Sequence, residues 1–206
     1  MEKQKMRKPI FVLIILISFL LLSFFIFVLY SVNETNNLVG WRSSEYGYQQ
    51  EQPPSYWVNV ANEMSSKFPN SEPSGIWILG TKQDNEFCYL QFPNPGGTYD
   101  YINFSSQDEN EEYLDAFDAA EIKVWLQVEP GNADVETLID LVFNQYKHHS
   151  SVIGFGVDVE WLENTRSRNG RAVTNAEAQA WLNKIKSYDS NYKLFLKHWE
   201  TNKMPT

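Results

Sequence analysis

The chain has little of several features that would indicate a function directly. Cys88 is the only cysteine among 206 residues, so no disulfide can form within the chain and the domain depends on its core. The formal net charge is -9, which disfavours a phosphate-binding surface and therefore nucleic acid as a partner. Gly154-Phe155-Gly156 lacks the third glycine of a dinucleotide-binding fingerprint, because Val159 stands at that position.

An apolar run from Ile10 to Tyr30 follows four basic residues and is interrupted only by two serines. About 20 apolar residues span a bilayer core as a helix. No small-residue cleavage site follows the run, as it would in a removed signal peptide. The sequence therefore predicts a signal anchor in the lipid bilayer at residues 10–30, with a basic tail at 1–9 in the cytoplasm and a single-pass topology. A long cleaved signal peptide is the alternative, and the domain lies outside the cytoplasm in both cases.

The rest of the chain divides into a polar segment and one domain. Residues 31–54 are polar and end in Pro53-Pro54, which predicts a linker that separates the domain from the membrane. The domain at 55–206 alternates predicted strands with predicted helices, which indicates β/α units and a parallel sheet. The five predicted strands begin at Ile76, Cys88, Ile122, Val152 and Tyr192.

Two helices of this domain have the most definite sequence patterns. Apolar residues recur at helical spacing from Val135 to Tyr146, the most regular such pattern in the chain. The capping box Thr174-x-x-Glu177 opens the last helix. One strand distinguishes a barrel from an open sheet. Apolar and polar residues alternate from Ile122 to Glu129, so only one face of that strand is uniformly apolar. An open doubly wound sheet, covered by helices on both faces, has strands that are apolar throughout, so the alternation favours a barrel.

These patterns predict an α/β fold, a partial (β/α)8 barrel of the TIM type. A closed barrel has eight strands, so five strands predict a truncated copy or fragment of a larger barrel enzyme. A small self-sufficient α/β fold is the alternative. The open edge of a partial barrel would be a site of self-association.

Two carboxylates follow the glycines of the predicted strand from Val152 to Trp161. On an extended strand Asp158 and Glu160 face the same side, roughly 6.6 Å apart at about 3.3 Å per residue. Two carboxyl groups at such a separation can flank one glycosidic bond. Glu129 ends the preceding strand, and the active site of a β/α barrel lies where its strands end. We therefore expect Glu160, Asp158 and Glu129 to be the catalytic residues.

Polar and aromatic residues near these strand ends are candidates for substrate binding. Lys197 and Trp199 are favoured over His198, because they fall on the inward row of the last strand when Leu194 and Leu196 face outward. Tryptophan rings could stack on sugar rings, although packing in the core is an equally good explanation for them. The candidates for substrate binding are Gln127, Trp125, Trp161, Lys197 and Trp199.

The segment Gly156-Val157-Asp158-Val159-Glu160-Trp161 resembles the D-x-E signature of chitinase-type glycoside hydrolases of family 18, and it is similar to that of family 25 lysozymes. The family 18 resemblance implies that Glu160 is the general acid and that Asp158 orients and stabilises an acetamido group of the substrate. The longer chitinase signature has two further aspartates, where this chain has Gly156 and Ile153. The resemblance implies a glycoside hydrolase-like domain that acts on a polysaccharide or glycoconjugate without a cofactor.

Three other interpretations remain open. A non-catalytic protein derived from a truncated barrel enzyme would bind carbohydrate or assemble with another chain. Acidic residues at strand ends also commonly cap the segment that follows. A metal-dependent hydrolase would use Asp158, Glu160, Glu129 and His198 as ligands. His148-His149 follows a predicted helix and is expected to be solvated. We favour the carboxylate site without a metal.

Overall fold

The structure, a computed structural model, describes residues 37–44, 52–84, 86–163 and 170–206. The predicted basic tail and signal anchor lie outside these residues, as does much of the predicted linker. Among the helices that the structure describes, none is long and apolar enough to cross a bilayer.

The described residues form an α/β domain with one seven-stranded sheet and four helices. Two short 3-10 turns, Val159–Trp161 and Thr201–Lys203, follow the last two strands. The helices are α1 (Pro54–Ser65), α2 (Glu111–Ala119), α3 (Val135–Tyr146) and α4 (Asn175–Tyr188). The strands are β1 (Asn37–Arg42), β2 (Ser71–Gln83), β3 (Phe87–Leu90), β4 (Ile102–Phe104), β5 (Lys123–Val128), β6 (Val152–Asp158) and β7 (Lys193–Lys197).

The sheet is mostly parallel, which confirms the predicted α/β class. Strands β1, β2, β5, β6 and β7 are parallel and adjacent in the order in which they occur in the chain. Strand β3 pairs antiparallel with the second half of β2, and β4 pairs parallel with β3. The other edge of β7 pairs with no strand among the described residues, and self-association through such an edge stays a prediction.

The helices pack against one face of the sheet through aromatic contacts. The ring of Trp57 in α1 lies 4.8 Å from that of Trp41 in β1, between centroids. Tyr113 of α2 stacks on Trp77 of β2 at 4.6 Å. Phe143 of α3 lies 5.9 Å from Phe155 of β6 and 5.2 Å from Tyr188 of α4. One apolar core therefore lies between the four helices and this face.

Local sequence signals correctly located the helices with clear patterns. Helix α3 has the predicted bounds, and the Asp134 carboxylate caps it by accepting a hydrogen bond of 2.8 Å from the Thr137 backbone N–H. The capping box of α4 is formed in both directions between Thr174 and Glu177. These elements depend on short-range periodicity and capping, which do not require tertiary contacts.

Three predictions about the strands were wrong. The sheet has seven strands where the sequence predicted five, because β1 and the short β4 were not predicted. Residues 37–42, assigned to the linker, form β1, in which Trp41 is buried against Trp57 and Trp77. Pairing with β2 stabilises this short segment, whose intrinsic propensity is a weak guide to its structure. Strand β6 ends at Asp158, and residues Val159–Trp161 turn instead of continuing the alternation.

Candidate functional site

Four parallel strands end in polar residues on the face opposite the helices. Arg42 ends β1, Gln127 lies next to the end of β5, Asp158 ends β6 and Lys197 ends β7. Asp158 and Lys197 are register partners, and residues paired in register on neighbouring strands point to the same face. These side chains are joined by contacts, and with Glu160 we call them the Asp158 network.

The Asp158 carboxylate is bound by two cations. The Arg42 Nη2 atom lies 3.0 Å from Asp158 Oδ2, and Lys197 Nζ lies 3.3 Å from the same oxygen. Arg42 also donates from Nε to Gln127 Oε1 at 2.9 Å. Lys197 Nζ contacts Glu160 Oε2 at 2.7 Å, so a single ammonium joins the two carboxylates of the D-x-E segment.

Glu160 reaches this network from a turn and not from the extended strand that the sequence predicted. Asp158 Oδ1 accepts a hydrogen bond of 3.3 Å from the Glu160 backbone N–H, so Asp158 also caps the 3-10 turn. The Glu160 side chain is 18% exposed, whereas that of Asp158 is 1% exposed. Of the two carboxylates, Glu160 is therefore the one that a ligand can reach.

Burial dominates the electrostatics of Asp158. It raises the pKa of the Asp158 carboxyl above its ordinary value, and the nearby charge of Glu160 acts in the same direction. Lys197 and Arg42 oppose this change without reversing it. Burial therefore disfavours the ionised form of the Asp158 carboxyl, and the two cations favour it.

Glu129, the third predicted catalytic carboxylate, is buried beside this network. Its Oε2 accepts a hydrogen bond of 2.9 Å from the Lys82 backbone N–H. Burial raises the pKa of Glu129, and the charge of Asp158 adds to this effect, while the hydrogen bond from Lys82 and the charge of Arg42 oppose it. Because Glu129 is only 4% exposed, a direct role in chemistry would require a substrate to enter deeply.

The predicted binding residue Gln127 has an amide donor in a confined position. The side chain is fully buried, and its Nε2 has no hydrogen-bond partner among the described residues. Gly156 is its register partner, and a Cβ added there would lie 3.2 Å from the Gln127 side chain and 3.0 Å from that of Phe195. A larger residue at position 156 would therefore crowd the Cβ and Cγ atoms that hold the amide in place.

The three predicted tryptophans have different environments. Trp125 is half-buried on the same face as Gln127, and its Nε1 is also buried without a partner among the described residues. Trp161 lies in the 3-10 turn, with Lys82 Nζ 4.0 Å from its ring centroid in a cation–π contact. Trp199 lies beyond the end of β7 and is 65% exposed, so the prediction that it continues the inward row of that strand was wrong.

Sequence reasoning missed Arg42, which is central to the site. Its partners Gln127 and Asp158 are 85 and 116 residues away in the chain. The short apolar run Leu38-Val39-Gly40-Trp41 was the local signal for a strand there. An arginine inside a segment interpreted as a linker could not be assigned to a site without knowledge of the parallel pairing of β1 with β2.

The alternative metal site is not assembled at these strand ends. Among the described residues, the His, Cys, Asp and Glu side chains that come close enough to share an ion do not include Asp158, Glu160, Glu129 or His198. The expectation that His148-His149 is solvated was correct for His148 and wrong for His149, which is buried.

Searches of protein families, of curated proteins and of solved structures found no match to this chain.

Proposed function

We propose that this chain is a membrane-anchored, extracytoplasmic glycoside hydrolase-like protein built on a partial (β/α)8 barrel. The strand order supports the barrel, because five parallel strands follow one another in chain order with the helices on one face. A doubly wound sheet reverses its strand order at a switch point and carries helices on both faces. The apolar run at residues 10–30 supports the membrane anchor.

The observation that carries the proposal is the contact of Lys197 with both carboxylates of the D-x-E segment. Lys197 Nζ lies 3.3 Å from Asp158 Oδ2 and 2.7 Å from Glu160 Oε2, so the two oxygens can be no further apart than the sum of these distances. Two carboxyl groups no further apart than this, beside the C-terminal end of one parallel strand, support the proposal of a site that cleaves a glycosidic bond.

The difference in exposure assigns the roles within the proposal. Glu160, the more exposed carboxyl, gives its proton to the leaving glycosidic oxygen as the bond to the anomeric carbon breaks. Asp158 is buried and fixed by Arg42, so its charge stabilises, without contact with the substrate, the positive charge that develops on the sugar. Water adds to the anomeric carbon, and its proton restores the acid.

Two unpaired donors support a substrate that is rich in acceptors. Gln127 Nε2 and Trp125 Nε1 are buried on the same face, and a buried donor without a partner costs about 1–3 kcal/mol. A polysaccharide or glycoconjugate that enters deeply enough to reach these groups would satisfy both with its hydroxyl or acetamido oxygens. When the substrate binds, the Lys197 ammonium would donate a hydrogen bond to a substrate oxygen and contact Glu160 less.

The test is hydrolysis of a panel of glycans, including N-acetylated ones, by the full-length chain in mild detergent. We expect Glu160→Gln to lower kcat by at least about 100-fold, the usual contribution of a general acid. Glu163→Gln is the matched control, because Glu163 is a nearby exposed glutamate paired with Arg171, and it should leave kcat unchanged. Absence of cleavage across the panel, or equal activity of Glu160→Gln and wild type, would contradict the proposal.

A second candidate is a carbohydrate-binding protein without turnover. It is favoured by the two cations on Asp158, which compensate the charge that an active site would otherwise use. This candidate predicts glycan binding by calorimetry without product, and binding that survives Asp158→Asn. Product formation that depends on Glu160 would exclude it.

A further inference from the structure

A second cluster of charged and histidine side chains lies at the opposite end of β6. Helix α2 contributes Glu111 and Asp118, and the loop between α3 and β6 contributes His148 and His149. The Asp118 carboxylate accepts a hydrogen bond of 2.7 Å from the backbone N–H of Ser151, directly before β6. The length of β6, about 20 Å at about 3.3 Å per residue, separates this His149 cluster from the Asp158 network.

The nitrogen and oxygen atoms of this cluster have the spacing of metal ligands. Glu111 Oε1 lies 3.3 Å from His148 Nε2 and 3.5 Å from His149 Nε2. The ligand atoms of these three residues all lie within 4.8 Å of one another. In tetrahedral coordination with bonds of about 2.0–2.2 Å, neighbouring ligand atoms are about 3.3–3.6 Å apart. The two Glu111 contacts therefore match two edges of a zinc tetrahedron.

The environment of His149 is an independent indication of a ligand. The residue is 3% exposed, and its Nε2 is buried without a hydrogen-bond partner among the described residues. Its Nδ1 lies 2.8 Å from Asp118 Oδ2. In a neutral imidazole, a hydrogen bond donated from Nδ1 to a carboxylate leaves the lone pair on Nε2, as in carboxylate–histidine–metal arrangements. In that form the lone pair faces the Glu111 carboxylate, an unfavourable contact unless a metal ion or a proton lies between them.

We propose that His148 Nε2, His149 Nε2 and Glu111 Oε1 bind one divalent transition-metal ion of the zinc type. Two imidazoles and one carboxylate form a donor set that suits zinc, with a fourth position for water. Asp118 is a positioning residue, because it orients the His149 ring. The ion would join the beginning of α2 to the loop before β6, and its role is structural because the site is remote from the Asp158 network.

The test is isothermal titration calorimetry, in which zinc chloride is added to the full-length chain in mild detergent. We expect one ion per chain, and we expect cobalt at the same site to give the visible absorption of tetrahedral coordination. His148→Gln should abolish stoichiometric binding, and its fold should survive because the His148 side chain is 57% exposed. Asp118→Asn should weaken binding about 10–100-fold, as is usual when the partner of a ligating histidine is removed.

The matched control is His198→Gln, which changes the only histidine outside the cluster. This variant should bind zinc like the wild type. The proposal would be overturned by a wild-type chain that binds no zinc, by undiminished binding in His148→Gln, or by equal losses in the His148 and His198 variants. None of these readouts depends on hydrolysis, so the result is independent of the proposed glycoside hydrolase function.

Discussion

The two ends of β6 carry charged clusters that bind a carboxylate in different ways. At the C-terminal end, Arg42 and Lys197 bind the carboxylate of Asp158, which is 1% exposed. At the N-terminal end, His149 and backbone and side-chain donors bind the carboxylate of Asp118, which is 26% exposed. The first cluster uses permanent cations, and the second uses a side chain that can be neutral.

This difference separates two kinds of site. A carboxylate that is paired with arginine and lysine already has its compensating charge, so binding of a further cation there is weakly favourable. A carboxylate beside neutral imidazoles retains its capacity for a cation, and the imidazoles are themselves metal ligands. Both ends of β6 carry acidic residues, but their charge is compensated differently. The C-terminal end, where arginine and lysine balance the charge, therefore suits an uncharged ligand. The N-terminal end, where imidazoles lie beside the carboxylates, suits a metal ion.

The largest expected effect is the loss of the guanidinium from the Asp158 network. Arg42→Met should lower the free energy of unfolding by about 2 kcal/mol, less than the about 3–5 kcal/mol for a fully unpaired buried charge, because Lys197 remains. Urea denaturation of the full-length chain measures this loss. The control Arg171→Met removes an arginine whose carboxylate partners are more exposed and should cost less than about 1 kcal/mol. Equal losses in the two variants would contradict the expectation that burial of Asp158 makes its ion pair with Arg42 more important for the free energy of unfolding.

A smaller effect is a difference in pH dependence between Asp118→Asn and Asp158→Asn. Burial raises the pKa of Asp118, but hydrogen bonds from Ser151 and the contact with His149 outweigh it and lower the pKa overall. Its ionised form therefore stabilises the fold above the ordinary aspartate pKa of about 3.9, and this stabilisation is lost as the pH falls through the lowered value. The cost of Asp118→Asn should shrink below that pH.

The pKa of Asp158 is raised, so the sign is reversed at the other end of β6. The contribution of this carboxyl to stability is fully present below the ordinary aspartate pKa and is lost as the pH rises through the raised value. Asp158→Asn should therefore cost most in acid. Urea unfolding of both variants at several pH values measures the two trends, and trends of the same sign would contradict the comparison.

The smallest expected effect concerns the two adjacent histidines without added metal. His148→Gln should change the free energy of unfolding by less than about 0.5 kcal/mol, because the side chain is largely exposed. His149→Gln should cost more, because His149 is buried and bonded to Asp118. Thermal unfolding in the presence of a chelator measures both. A larger loss for His148 than for His149 would contradict the assigned environments.

Parts of the fold and site were predictable where the signal was local. The period of apolar residues in α3 and the capping box of α4 identified those helices, because each pattern is complete within one element. The alternation in β5 correctly placed Gln127 on the face opposite the helices, and Lys197 was correctly assigned to the row of Asp158. The end of β6 was not predictable, since Asp158 stops the strand by capping the next turn.

Two residues show why the rest was not predictable. Arg42 reaches Asp158 only because β1 pairs with β2, and no local pattern connects residues 116 positions apart. His149 follows a helix in a polar sequence, and its burial depends on α2 packing beside the loop that precedes β6. A polar sequence predicts exposure, whereas tertiary contacts can satisfy polar groups inside the protein.

Periodicity and capping in the amino-acid sequence were sufficient to determine the α/β class, the helices α3 and α4, and the face of the sheet on which Gln127, Asp158 and Lys197 lie. These properties depend on neighbours within a few residues. Tertiary structure alone decided that Lys197 joins Asp158 to Glu160, that Arg42 completes their charge balance, and that His149 faces Glu111. The reason is that charge compensation and metal-ligand spacing depend on distances between atoms, which only the packing of distant segments establishes.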